Sequence, residues 1–131
     1  PPDLKYLAQL RAVVEAAARA RYGKPLLRSK ADLALLQRLL DDGAFRPDQT
    51  HELQSLGIAF GDVLATHSEL CWVSVRDEHG TDPALRYKDT SILVFPMTMI
   101  SKRVEAGREI DVQRLFDGIL TQVREIENEI A

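Results

Sequence analysis

The chain has 131 residues, 45% of them hydrophobic, and a formal net charge of -3. This length and composition are those of one globular domain, which buries about two-thirds of its unfolded surface and needs no metal or disulfide to hold it together. The small negative charge argues against a domain that neutralises many phosphates, so nucleic acid is not an expected partner.

The sequence lacks an apolar run of about 18 residues and a leader of the secretory type. We therefore expect a cytoplasmic protein with no membrane partner. The single cysteine, Cys71, cannot form an intramolecular disulfide. Its apolar neighbours predict a buried, unreactive thiol.

Helical periodicity predicts a first helix from about Asp3 to Tyr22. A second helix is expected to begin at Ser29, with Asp32 completing a capping box, and to run to Gly43. Pro47 suits the first turn of a third helix, which is apolar almost all round between Leu56 and Ala65. A helix of that kind is covered on several sides, so we place it at the centre of the fold.

The third helix contains the stretch SLGIAFGDVL, in which Gly57 and Gly61 lie one turn apart. Each glycine costs about 1 kcal/mol relative to alanine in a helix, so a strip without side chains needs a reason. The favoured reason is packing, with the indole of Trp72 filling the strip. The alternative is that the strip forms the floor of a small-molecule pocket.

The middle of the chain changes to strand periodicity. Residues 71–76 alternate, a turn containing Gly80 follows, and residues 84–87 form a weaker second strand. The apolar run Ile92 to Phe95 predicts a third strand. In a simple meander this apolar strand lies at an edge, where either a helix covers it or a second copy pairs with it to give a homodimer.

Pro96 is expected to open a fourth helix that stops near Gly107, and Asp111 to cap a fifth helix whose outer face carries Arg114. The predicted fold class is α+β, with about five helices packed on a small, roughly three-stranded antiparallel sheet. Residues 1–131 are expected to form a single domain, helical over 1–67, strand-rich over about 70–96 and helical over 97–131.

No catalytic centre is predicted. The three histidines, His51, His67 and His79, lack the spacing of a helical metal site, and neither a nucleophile elbow nor a phosphate-binding loop occurs. Cys71 and His67 span a helix-to-strand junction and are not expected to form a nucleophile pair. No catalytic residue, metal or cofactor is therefore assigned.

The polar stretch SKRVEAGRE concentrates Lys102, Arg103 and Arg108 near a helix end. Basic side chains there usually complement the helix dipole. They also suit a bound carboxylate or phosphate, or the acidic rim of a partner. In that interpretation Trp72, Arg76, Lys102 and Arg103 are the ligand-binding residues.

Three segments, LQSLGIAFGDVL, LCWVSVRDEHGTDPAL and FPMTMISKRVEAGREIDV, together resemble an uncharacterised bacterial family, one of the domains of unknown function. The resemblance runs from about Asp32 to Phe116. It implies a bacterial cytoplasmic protein with this α+β plan, and it transfers no catalytic residue.

The leading functional hypothesis is a non-catalytic protein-interaction module of the bacterial cytoplasm, with an immunity protein and an adaptor both compatible. It follows from the lack of a convergent catalytic set and from the apolar edge strand. The alternative is a small anionic-ligand-binding domain or minor enzyme with a pocket near Trp72. A homodimer with a structural role is the third possibility.

Overall fold

A computed structural model describes residues 1–130, which fold into five helices and three strands. The strands form one antiparallel sheet in the order β1-β2-β3. The predicted α+β class is therefore confirmed. In chain order the elements are α1 (Leu4–Tyr22), α2 (Ala31–Asp41), α3 (Thr50–Thr66), β1 (Leu70–Asp77), β2 (Gly80–Tyr87), β3 (Leu93–Val94), α4 (Pro96–Glu105) and α5 (Val112–Ile130).

The start of α2 differs from the predicted capping box. The carboxylate of Asp32 is buried and accepts the backbone N–H groups of Leu27 and Arg28, at 3.0 and 2.8 Å. Arg28 has a φ of 55°, so the chain turns sharply there and aims these N–H groups back at the helix. Asp32 therefore holds the α1–α2 loop, whereas the prediction paired it with Ser29.

Helix α3 is the centre of the fold, as its sequence predicts. It begins at Thr50, one turn later than Pro47 indicates, and every residue from Ser55 to Leu64 is buried. Helices α1, α2 and α4 and strand β1 all contact it. Coverage from several directions explains why its sequence lacks the usual polar face.

The two faces of the sheet are covered to different extents. Cross-strand partners share a face, and the inner one carries Leu70 opposite Tyr87 and Trp72 opposite Leu85. On the outer face, Cys71 lies opposite Arg86, and both are exposed. The prediction of a buried thiol is therefore wrong, because Cys71 lies near one end of the less covered face of the sheet.

The apolar run of residues 92–95 lies at a sheet edge, as predicted, but forms a very short strand. Only Leu93 and Val94 belong to β3, since α4 begins at Pro96. Phe95, between them, is 39% exposed. This edge therefore offers little backbone for pairing.

The two glycines of α3 are packing positions. A Cβ on Gly57 would overlap the carbonyl oxygen of Pro96 and lie 2.8 Å from the Cα of Met97. A Cβ on Gly61 would lie 2.6 Å from two ring atoms of Trp72. The packing prediction, with Trp72 as the filling side chain, is confirmed. The ligand-floor alternative is wrong, because protein atoms already occupy both positions.

We expect Gly57→Ala to lower the free energy of unfolding by about 2 kcal/mol, the usual cost of overpacking a core. The backbone of Pro96 and Met97 cannot rotate away as a flexible side chain would. Urea denaturation followed by the fluorescence of the single tryptophan measures the change.

The matched control is Gly118→Ala in α5, where an added Cβ meets nothing within 4 Å. This variant should gain about 0.5–1 kcal/mol from helix propensity alone. If Gly57→Ala stabilised the protein as much as Gly118→Ala, the packing interpretation of Gly57 would be wrong.

Candidate functional site

Trp72 belongs to a polar cluster that links three elements. Its indole N–H donates to Oδ1 of Asp62 at 3.0 Å. Arg11 of α1 donates to both oxygens of the same carboxylate, from Nε at 2.6 Å and from Nη2 at 2.9 Å. Asp62 is only 6% exposed, and Arg11 is 17% exposed. This cluster therefore ties α1 and β1 to α3.

The cluster of Arg11, Asp62 and Trp72 is satisfied within the protein. The carboxylate receives three hydrogen bonds, and no buried side-chain nitrogen or oxygen in the described part of the chain lacks a partner. Sequence analysis missed Arg11 and Asp62. A signal existed, because an acid in an otherwise apolar helix must find a cationic or N–H partner when it is buried.

The four residues predicted to bind a ligand lie in different surroundings. The ring and the N–H of Trp72 are both engaged inside the protein. Arg76 is exposed at the end of β1, opposite Thr81. Lys102 lines a shallow groove beside Asp82 and Phe95.

Arg103, the fourth of these residues, lines a separate groove on another side of α4. Lys102 and Arg103 are neighbours in sequence, but consecutive residues of a helix point about 100° apart. The binding role of the four residues stays a prediction. Of the four, Arg103 lines the groove with the most arginines.

This groove has a volume of about 580 Å³ and lies between α4 and α5. Three arginines are among its lining residues: Arg103, Arg108 and Arg114. The apolar part of its wall comes from Met99, Leu115 and Ile119. We call it the arginine groove. Arg108 also lines a neighbouring groove beside Leu53 and Val104.

Local chain geometry brings the three arginines together. Helix α4 ends before Gly107, whose φ of 72° reverses the chain. The N–H of Arg108 then bonds the carbonyl of Arg103 at 2.9 Å. Asp111 caps α5, as predicted, by accepting the backbone N–H of Arg114 at 3.1 Å. The turn at Gly107 and the cap at Asp111 therefore place an arginine of α4, one of the linker and one of α5 along the same groove.

The arginines of the groove carry unneutralised positive charge. Among residues 1–130, none of the three guanidinium groups lies within 4.0 Å of a carboxylate oxygen. Arg103 instead donates from Nη1 to the carbonyl of Met99 at 2.8 Å. Two acids, Glu109 and Asp111, also line the groove, and Asp111 is already engaged as the cap.

Other kinds of site find less support in the geometry. Within the described residues, no three His, Cys, Asp or Glu side chains are grouped so that they could hold a metal ion. In the same part of the chain, no helix combines the length and the apolar character needed to cross a bilayer.

The comparison with known families agrees with the resemblance seen in the sequence. Residues 32–116, well over half of the chain, match the model of a family described as a domain of unknown function, DUF3806. The chain belongs to the DUF3806 family. The DUF3806 match includes both packing glycines, Asp62, Trp72 and all three arginines of the groove, whereas Arg11 lies outside it.

A solved structure shares the fold of this DUF3806 protein. It is the crystal structure of a protein from Bacteroides thetaiotaomicron VPI-5482, with a TM-score of 0.80 and 20% sequence identity. The similarity covers 92% of this chain but 46% of the other, so this chain spans about half the length of that protein. No curated protein matches the sequence.

We expect Asp62→Ala to lower the free energy of unfolding by about 3 kcal/mol, because it leaves the guanidinium of Arg11 and the N–H of Trp72 without their acceptor. The emission of Trp72, the only tryptophan, should also shift to longer wavelength as the ring loosens. Urea denaturation and fluorescence spectra provide the two measurements.

Glu15→Ala is the matched control, because Glu15 also pairs with an arginine of α1, Arg19, but on the surface. An exposed pair of this kind contributes about 0.5 kcal/mol or less. Equal losses from Asp62→Ala and Glu15→Ala would contradict the structural role of the cluster.

Proposed function

We propose that this DUF3806 domain is a non-catalytic interaction module that binds an acidic segment of a partner protein in the arginine groove. The observation that supports this is that Arg103, Arg108 and Arg114 line one groove, and none of them has a carboxylate partner among the described residues. A guanidinium binds a carboxylate through two parallel hydrogen bonds, so each arginine offers an oriented acceptor site.

The local charge is distinctive because the protein as a whole is acidic. With a net charge of -3, the chain has more Asp and Glu than Lys and Arg. The groove reverses that balance, with three cations against two acids, one of them engaged at a helix cap. A positive groove on a negative protein favours a specific acidic partner over general attraction to polyanions.

The shape of the groove favours a peptide segment over a small metabolite. It is an open depression between two helices, and its apolar wall of Met99, Leu115 and Ile119 accompanies the charges. An amphipathic segment can place apolar side chains on such a wall and acidic side chains on the arginines. A small inorganic anion would use the charges but not the wall.

The arrangement of potential nucleophiles supports a non-catalytic role. In the described residues, no hydroxyl or thiol is hydrogen-bonded to a histidine; the hydroxyls of Ser55, Thr66, Ser68, Thr90 and Thr121 all donate to backbone carbonyls. Cys71 is exposed on the sheet. Both an adaptor and an immunity protein of the bacterial cytoplasm would use a docking groove without chemistry.

We expect a synthetic amphipathic peptide, with glutamates on one face and leucines on the other, to bind the protein in a fluorescence anisotropy titration. Arg103→Gln, Arg108→Gln and Arg114→Gln should each weaken binding about tenfold, the value of one charge-assisted hydrogen bond. Raising the salt concentration should weaken it further.

Two controls make this test specific. Arg21→Gln removes an exposed arginine of α1 and should leave the affinity unchanged. A peptide with glutamine in place of glutamate should not bind. If inorganic phosphate binds through the same arginines while the peptide does not, the domain is an anion-binding domain instead. Equal binding by all the variants would refute the groove as the docking site.

A further inference from the structure

Strand β1 has an open edge on the side away from β2. The hairpin closes at the pair Asp77 and Gly80, with two residues between them. In such a hairpin the closing pair and every second pair after it exchange backbone hydrogen bonds. The pairs between them do not exchange backbone hydrogen bonds, and on β1 they include Trp72, Ser74 and Arg76. The N–H and C=O groups of these three residues therefore point away from β2.

Neighbouring hydrogen bonds agree with this assignment. The N–H of Lys88 bonds the carbonyl of Glu69 across the hairpin at 3.3 Å, which places residue 69 in the bonded set. The N–H of Leu70 points outward and is taken by the hydroxyl of Ser68 at 3.2 Å. Beyond Leu70, no other part of residues 1–130 bonds to the backbone of this edge.

The edge lacks a proline and a bulge, two of the usual protections against pairing. Strand β1 is eight residues long and contains no proline. The proline of the sheet, Pro83, lies on β2 opposite Ser74. Its backbone nitrogen faces away from β1, so it does not protect the β1 edge. The other edge of the sheet, β3, has only two residues. Long unprotected edges are templates for another strand.

We propose that β1 pairs antiparallel with β1 of a second copy of this chain, about a two-fold axis at Ser74. A two-fold axis perpendicular to the sheet brings one residue opposite itself, where a charged side chain would repel its own copy and a small, uncharged one fits most easily. Among the three outward-directed residues, Ser74 is the small, uncharged one. The pairing would form about six backbone hydrogen bonds between the copies.

The side chains are complementary in this register. Trp72 of one copy comes opposite Arg76 of the other, on both sides of the axis, so the cation meets an uncharged residue. No like charges face each other within the strand. On the outer face Val73 of one copy comes opposite Val75 of the other, and both side chains are partly exposed in the single chain. A second copy therefore fits the edge, and the pairing is independent of the arginine groove.

Cysteine cross-linking tests the register directly, in chains that also carry Cys71→Ser. A Ser74→Cys chain should form a disulfide dimer under mild oxidation, because residues of a bonded pair lie about 5.5 Å apart between Cα atoms. Val73→Cys and Val75→Cys chains should cross-link when mixed and not when separate. Thr121→Cys, exposed on α5, controls for random collisions and should stay monomeric.

Analytical ultracentrifugation tests the association without cysteines. The wild-type chain should shift toward twice its mass of 14.7 kDa as its concentration rises through the micromolar range. Ser74→Lys places two positive charges at the axis and should remain monomeric, with an unchanged circular dichroism spectrum.

A wild-type chain that stays monomeric at several hundred micromolar would overturn the proposal. So would Ser74→Cys that cross-links no faster than Thr121→Cys. Cross-linking of Val73→Cys with itself would indicate another register and refute the axis at Ser74.

Discussion

The close approach of other backbone and ring atoms to α3 at Gly57 and Gly61 is the contact on which the rest of the structure depends. At Gly57 the first residues of α4 come against the helix backbone, and at Gly61 the indole of Trp72 does the same. The sheet and α4 can approach α3 so closely only because neither position carries a side chain. Two unfavourable helix residues are thus offset by the contacts that they permit.

The polar cluster follows from the second of these contacts. Once the indole lies on Gly61, its N–H comes within reach of the next residue along the helix, Asp62. A buried carboxylate also needs compensation for its charge, and Arg11 of α1 supplies it. The first helix is therefore held by a carboxylate whose position the glycine contact determines. The contact at Gly57 likewise fixes the start of α4. Because α4 is a single helix of ten residues, the same contact also helps to determine where Arg103 lies in the arginine groove.

Sequence patterns predicted the fold well because periodicity reports burial directly. The five helices and the three strands follow from it, whereas the contact with Trp72 was predicted from the strip without side chains at Gly57 and Gly61. The sequence pattern failed where the outcome depends on how distant elements pack against each other. Alternation at Cys71 shows that the strand has two faces, but not which face the helices cover. Arg11 lies 51 residues from Asp62, and no local spacing links them. Arg103 and Arg108 were recognised as a basic cluster, whereas Arg114 joins them only through the turn at Gly107.

The two uses of arginine in this protein differ in a way that bears on function. Arg11 is paired, partly buried and necessary to neutralise Asp62, so it is part of the fold. Exposed arginines without partners are common and by themselves mean little. The groove is distinctive because arginines from α4, the linker and α5 converge beside an apolar wall. The groove shares no residue with β1, so both surfaces can be occupied at once. A two-fold dimer would then present two grooves, and a partner with two acidic segments would bind it with greater avidity than either groove alone provides.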